Sequence, residues 1–487
     1  MSPTDSPRAK NLALALLAMA QFVVVLDASI VNVALPSIGT ELDFAQDDLS
    51  WVINSYTLFF GGFLLLGGRL ADLLGRRRMF VYGMWLFAVA SLVGGLAQSD
   101  IWLIAARAVQ GLGAALISPA ALAIVTTTFR EGSERNRALG VWGAVAGSGG
   151  AAGVLLGGIL TESLGWEWVL FVNTPIGIAA ALLAPRLLDE SLDRSRTSFD
   201  IAGAVSVTAG LALLVYTLVD ANDAGWASTQ TLVLGGVSLA LLAIFVAVEL
   251  RTRNPLVPFS IFRQRTLRGA NVVGLLLGMS LFSMFFFISL YMQQVLGYEP
   301  LKAGLAYLPL ALTIIASAGL ASALVTRVGF KPTLIVGMLF IAGGLIWFAQ
   351  VSAPGGSYVG DILFPSLLAA VGLGLAFVPT TIAAVTGIRP DDAGLASGLI
   401  NTSQQIGGAL GLAVLAAVAT STTNDAIASG ERNPLISLTE GFQDAFLVGA
   451  GMALLGALLA ATLISSRDSR EHAEAARRGE APAAVAA

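Results

Sequence analysis

Between two long apolar stretches the chain reads Gly68-Arg69-Leu70-Ala71-Asp72-Leu73-Leu74-Gly75-Arg76-Arg77-Arg78. With apolar sequence over 50-72 and 79-98 on either side, this basic cluster is a short loop between two membrane spans. Its arginines assign it to the cytoplasmic side, where positive residues are retained. The whole composition agrees. Of 487 residues, 56% are hydrophobic and only 12% charged, against roughly 25% charged in a soluble chain, and mean hydropathy is +0.80. So few charges cannot coat a soluble domain, so most of the chain faces lipid or other helices. A soluble enzyme and a nucleic-acid binder are both disfavoured.

Working outward from that loop, fourteen stretches are long and apolar enough to cross a bilayer: 11-35, 50-72, 79-98, 101-124, 138-161, 168-186, 201-219, 231-249, 269-294, 303-325, 333-350, 361-384, 395-421 and 444-465. Charge placement tests this reading independently. With both termini in the cytoplasm, 24 of the 27 Lys and Arg residues fall on the inner side; only Lys302 and Arg432 lie outside, and Arg107 lies within a span. A missed or invented span would scramble that partition. The acidic stretch Glu41, Asp43, Asp47, Asp48 falls outside, where acids are tolerated. The first span is too long for a cleaved signal peptide, contains Asp27, and reaches Pro36 without a small-residue cleavage site. A ratio of 24 Arg to 3 Lys, with abundant Ala and Gly, points to a GC-rich bacterial genome, hence to a bacterial cell membrane.

The available chemistry is narrow. There is no Cys, which removes disulfides, thiolate metal sites and cysteine nucleophiles. The single His, His472, sits in a polar Arg-, Glu- and Ala-rich tail and is read as a solvated residue. No metal or organic cofactor is expected. A net charge of −4 is too small to imply a charged partner.

The loop also anchors an internal repeat. An offset of 254 sets Gly75 on Gly329, Arg77 on Lys331 and Gly83-Met84 on Gly337-Met338. An offset of 261 sets Gln110-Gly111-Leu112-Gly113 on Val371-Gly372-Leu373-Gly374. Spans 1 to 6 therefore pair with spans 9 to 14, and spans 7 and 8 are an inserted hairpin. The expected architecture is all-α and membrane-integral, with two six-helix bundles plus that hairpin. Its parts are a cytoplasmic N-terminus 1-10, an N-terminal bundle 11-190, the hairpin 200-250, a C-terminal bundle 268-466 and a cytoplasmic tail 467-487. Parallel halves about an axis along the membrane normal suit a rocking transporter with its substrate between them.

Several motifs in order resemble those of the major facilitator superfamily, in its fourteen-span drug:proton antiporter branch. They are the 68-78 loop, Leu26-Asp27-Ala28-Ser29-Ile30-Val31-Asn32-Val33-Ala34-Leu35-Pro36 in span 1, and Arg107-Ala108-Val109-Gln110-Gly111-Leu112-Gly113 in span 4. To these add Trp166-Glu167-Trp168-Val169-Leu170-Phe171-Val172-Asn173-Thr174-Pro175 entering span 6 and Tyr291-Met292-Gln293-Gln294-Val295-Leu296-Gly297-Tyr298 leaving span 9. The resemblance covers nearly the whole chain.

Asp72 lies at the inner end of a helix, where a negative charge is locally unfavourable unless another group holds it. The resemblance implies that the N-terminus of span 13, near Ala393, is that group, and that Gly68, Asp72, Gly75, Arg76 and Arg77 form a latch closing the cytoplasmic side. The plainer reading pairs Asp72 with Arg76 or Arg77. This sequence has Leu73 where the family usually carries Arg, which puts part of the charge network in doubt. Asp27 is the only carboxylate well inside a span, and such a group is functional by default. Burial works against its charge, the condition for taking up and releasing a proton. Arg107 is the only deep base, so proton coupling is assigned to Asp27 and Arg107, with a fixed ion pair as the rival reading. In span 5, Gly147, Gly153, Gly157 and Gly158 form a small-residue face for close helix approach and match the family's antiporter signature, except that Val154 replaces its usual Pro.

An aromatic and amide set suits a lipophilic ligand: Gln21, Asn54 and Tyr56 from the N-terminal half, and Phe282, Phe286, Tyr291, Gln294, Asn401, Gln404 and Gln405 from the C-terminal half. The reading reached is a monomeric multi-pass transporter that exports lipophilic, cationic or amphiphilic drugs in exchange for protons. Its rivals are an exporter or uniporter of an endogenous metabolite or lipid and, remotely, a membrane-embedded lipid-modifying enzyme.

Overall fold

A computed structural model describes residues 6–44, 49, 51–130, 132–191, 200–252, 255–353, 355–389 and 392–478. Among the described residues, fourteen helices are long and apolar enough to span a bilayer, counting one bent pair as a single span. They are α1 (Pro7–Glu41), α2 (Trp51–Leu74), α3 (Arg76–Gly95), α4 (Asp100–Thr128), α5 (Ser133–Leu164), α6 (Trp168–Leu187), α7 (Ile201–Ala224), α8 (Thr229–Glu249) and α9 (Arg265–Leu290). The rest are α10 (Leu308–Val328), α11 (Phe330–Phe348), α12 (Phe364–Val385), α13 (Ala393–Ala428) and α14 (Pro434–Leu463). Thirteen candidate spans are single runs, and α5 supplies the fourteenth as two segments, Ser133–Gly150 and Ala152–Leu164, bent by 42°. Ser29 Oγ donates to Gly150 O (2.9 Å) at that bend, drawing a ladder carbonyl away from its helix. A fifteenth, polar helix α15 (Ser466–Arg478) follows the last span.

Each half is built the same way. In the first, α1 packs on α5, α4 lies against α2 and α3, and α6 covers α3; in the second, α9 packs on α13, α12 lies against α10 and α11, and α14 covers α11. The turns at the loop and its repeat match too: Gly75 takes φ +107 and Gly329 takes φ +94, a region that penalises any side chain. Lipid removes most of the hydrophobic gain from pairing apolar helices, so close packing of small residues must hold them. The α3–α4 crossing rests on Gly83 against Gly113, and the α11–α12 crossing on Gly337 against Gly372.

That second crossing corrects the predicted register. Gly113 faces Phe87 N and Gly83 O, while Gly372 faces Ile341 N and Gly337 O. The α4–α12 correspondence is therefore Gly113 with Gly372, two residues away from the 261 offset, which had matched the Gly-Leu-Gly string instead of the contact. The repeat-mate of Arg107 is then Ser366, which carries no charge.

The inserted hairpin is more than a lipid-facing pair. α7 packs on both α2 and α13, across the seam between the halves. Trp51 stacks on Tyr216 (centroids 5.5 Å apart), and Leu65, Ala204, Val207, Leu211, Leu395 and Ala396 share one buried cluster. α8 forms its outer, largely lipid-facing layer. On the opposite seam α5 meets α10 and the short helix before it: Gly140 lies against Ser322 of α10, and Gly158 against Leu301 of the helix Pro300–Ala306.

Candidate functional site

Asp27 and Arg107 are 0% and 1% exposed, and they are paired: Arg107 Nη1 lies 2.5 Å from Asp27 Oδ2. Asp27 comes from the middle of α1, and the rest of its shell comes from four other helices of the same half. Gln110, one turn after Arg107 on α4, donates from Nε2 to Asp27 Oδ1 (2.8 Å) and to Ser91 Oγ of α3 (2.5 Å), and its Oε1 accepts from Arg107 Nη1 (2.6 Å). Asn173 at the head of α6 donates from Nδ2 to Asp27 Oδ1 (2.6 Å). Arg107 Nε donates to Val52 O of α2 (3.0 Å), and the guanidinium lies 4.4 Å from the centroid of the Tyr56 ring. The ion pair and its hydrogen bonds offset part of the cost of stripping both charges of water, and the loss of one partner leaves the other stranded.

Three members of this shell, Ser91, Gln110 and Asn173, were not singled out from the sequence. Gln110 and Asn173 stand inside quoted motifs, and the i,i+3 spacing of Arg107 and Gln110 on one helix face was the available signal. Tyr56 belongs here too. It was expected to line a substrate cavity, but it is 1% exposed, and its hydroxyl donates to Val24 O (3.1 Å).

At the C-terminal end of α2, Asp72 is 1% exposed. Its Oδ1 accepts from Gly394 N (3.0 Å) and its Oδ2 from Leu395 N (2.9 Å), at the start of α13, in the other half. Arg76 donates to the same Oδ1 from Nη2 (2.7 Å) and Nε (3.0 Å). Asp72 thus meets both the α13 start and Arg76, and it does so as a buried group, not as the solvated loop-end acid of the plainer reading. Helix-start N–H groups stabilise the carboxylate, and Arg76 supplies a cation despite Leu73. Gly68 lies against Gly394 O and Gly398, where a β-carbon would collide. Arg77 turns away to Glu190, whose Oε1 accepts its backbone N–H (3.1 Å), and its Nη1 donates to Leu188 O (3.2 Å). Glu190, which pairs with both Arg77 and Arg78, is not evident in the sequence because it lies over a hundred residues away.

The α5 glycines pack as small-residue faces do. A β-carbon on Gly153 would overlap Ser29 Oγ and Leu26 O of α1, and one on Gly157 would press on Ile30 O; Gly158 faces Leu301 of the other half. The surroundings of Gly147 lie outside the described residues.

The predicted cavity set divides. Gln21 Oε1 on α1 and Asn401 Nδ2 and Gln404 Nε2 on α13 are buried and have no hydrogen-bond partner among the described residues. Phe282 and Phe286 on α9 are 40% and 39% exposed, and Gln294 is exposed on the π-helical turn Tyr291–Val295. Asn54 and Gln405 are half-buried. Tyr291 does not line a cavity here: it is fully buried, and its hydroxyl donates to Ser352 O (2.8 Å). His472, read as solvated, is 3% exposed.

Comparison with known proteins agrees with this geometry. Residues 17–412 match the family model described as Major Facilitator Superfamily. The cephamycin export protein CmcT of Amycolatopsis lactamdurans is 44% identical over 86% of this chain and 87% of its own length. The puromycin resistance protein pur8 of Streptomyces alboniger is 39% identical over 92% of this chain and 90% of its own. The crystal structure of the human organic anion transporter MFSD10 (TETRAN) superposes with TM-score 0.65 at 16% identity, over 94% of this chain and all of that one, a likeness of fold alone. Fourteen spans in two repeated bundles, a carboxylate of one half bound to a helix start of the other, and these relatives together establish that the chain belongs to the Major Facilitator Superfamily and is a membrane transporter, not an enzyme.

Proposed function

We propose that this protein exports lipophilic, cationic or amphiphilic antibiotics in exchange for protons by alternating access, working as a monomer in the bacterial cell membrane with both termini cytoplasmic. Its relatives include a cephamycin export protein and a puromycin resistance protein, which supports the substrate class. The observation that carries the proton coupling is the buried Asp27 shell. A proton on Asp27 Oδ2 would face Arg107 Nη1 directly, so protonation must part the pair. Arg107 then still holds Val52 O and Gln110 Oε1, which makes the parted state accessible. Protonation thereby loosens the packing of α1 on α4 and α6 within the first bundle, a change that would bias how that bundle rocks against the second. Gln21, Asn401 and Gln404 offer polar atoms to the ligand, and Phe282 and Phe286 offer rings.

The test uses proteoliposomes with an imposed pH gradient and ethidium, puromycin or a cephamycin as cargo. Wild type should accumulate cargo against its gradient, collapse on addition of an uncoupler, and lose at least tenfold in driven transport in Asp27→Asn. Full gradient-driven export by that variant would remove Asp27 from the coupling. Export by wild type that ignores the uncoupler would instead favour a facilitator of an endogenous metabolite or lipid.

A further inference from the structure

α15 carries the only histidine of the chain, and its ring is buried edge-on against Phe330 of α11, with centroids 5.7 Å apart. Its Nε2 lies 3.0 Å from Asn136 Oδ1, at the start of α5. Neighbouring bonds fix the direction of that contact. Thr326 Oγ1 donates to Ser322 O (3.0 Å), so it accepts from Asn136 Nδ2 (3.0 Å). Asn136 Oδ1 is then the acceptor, and His472 Nε2–H the donor. One directed chain of bonds therefore joins the tail helix, a helix of the first half and a helix of the second.

The tail helix is bonded to the second half. Ser469 Oγ accepts from Lys331 N (3.0 Å), and Lys331 Nζ donates to Ile464 O and Ser466 Oγ, both at 2.8 Å. Thr266 Oγ1 donates to Asp468 Oδ2, and Arg265 Nε donates to Leu463 O (3.1 Å). The contact of His472 with Asn136 carries the tail across to the first half.

The internal repeat gives this spot a meaning. By the 254 offset Thr326 is the repeat-mate of Asp72, and by the shared packing α5 is the repeat-mate of α13. Asp72 holds the α13 start with a charge and two backbone bonds. Thr326 is neutral and reaches the α5 start through one side-chain bond only. We infer that α15 completes a second inner-face latch at this repeated position, with His472, Asn136 and Thr326 acting as positioning residues that bias the transporter towards the inner-shut arrangement. The inference needs only the alternating access of the family, and it stands apart from the proton coupling proposed above.

The absence of native cysteine makes the test direct. Arg137→Cys and Arg327→Cys, exposed positions near the inner ends of α5 and α10, carry spin labels for pulsed distance measurement in lipid nanodiscs. His472→Ala and Asn136→Ala should each add a longer-distance population and raise the open-to-shut ratio at least fivefold. His472→Gln, whose amide also donates to Asn136, should return the ratio to within twofold of the parent. Asp72→Ala in the same background reports what opening looks like. If Asp72→Ala opens the inner face while both His472→Ala and Asn136→Ala superimpose on the parent, the second latch is overturned. If His472→Gln opens as far as His472→Ala, the contact is packing alone and the latch is likewise overturned. Thermal unfolding of each sample separates lost folding, which Gln would not rescue, from a shifted balance.

Discussion

Asp27 accepts from Arg107, Gln110 and Asn173, so a single carboxylate gathers three helices, and its energetics follow from what each neighbour loses. Arg107→Ala strands a buried carboxylate, a change that costs ~3–5 kcal/mol where such pairs have been broken. Asp27→Asn with Arg107→Ala removes both charges and leaves an amide among amides. The double variant should therefore melt closer to wild type than Arg107→Ala does, by calorimetry in detergent, while remaining inactive in driven transport. A double variant less stable than the single would show that the pair is not the source of the cost. Asn173→Ala removes one bond of about 1–3 kcal/mol without touching the pair. It should lower stability less than Arg107→Ala does and leave Asp27 with Arg107 as its main partner.

Among the elements, α5 is constrained on two sides, packing on α1 with one face and on α10 with another. Gly153 has Ser29 and Leu26 where a β-carbon would go, whereas Gly236 on α8 has nothing within 4 Å. Gly153→Ala should thus cost about 1–3 kcal/mol by overpacking and abolish transport, while Gly236→Ala should be neutral or slightly stabilising; melting temperature and uptake of labelled cargo on the same preparations decide it. The glycine face itself was legible in the sequence, since four-residue spacing has no other common meaning in a span. Which neighbour each glycine meets was not, because α1 and α10 arrive from distant parts of the chain. The offset between α4 and α12 failed for a related reason: a Gly-Leu-Gly string repeats by composition, while the crossing point depends on where Gly83 and Gly337 lie. The hairpin's place over the α2–α13 seam left no trace in the sequence beyond Trp51 and Tyr216, two aromatics among many.

At the scale of the whole molecule, apolar runs and charge placement are sums over many residues, and sums survive local error; that is why the spans were readable. Single polar contacts between halves carry no such redundancy, and His472 shows it: a polar tail gave no hint that its one imidazole is buried. That burial has a consequence for pH. Enclosure pushes His472 down to about 4, with Arg135 of α5 adding to the effect. Of the other cations on the elements around it, Arg327 on α10 is exposed, and Lys331 on α11 is bonded to Ile464 O and Ser466 Oγ. In the shut arrangement the ring is neutral and donates from Nε2; once the tail is released, its ordinary value near 6.5 returns. Above pH 6.5 the ring is neutral in both arrangements and pH has no leverage. As pH falls below 6.5 the released form binds a proton that the shut form refuses, so the second latch weakens progressively until pH 4. At pH 5.5 the shift is about tenfold, or ~1.4 kcal/mol. Spin-label distances across the inner face of a transport-inactive Asp27→Asn background, free of coupling-proton effects, should therefore lengthen between pH 7.5 and pH 5.5. His472→Gln in that background should not respond over the same range. An equal response in both would assign the pH dependence to another group, and a constant distance in His472-bearing protein would mean that the imidazole stays enclosed throughout the cycle.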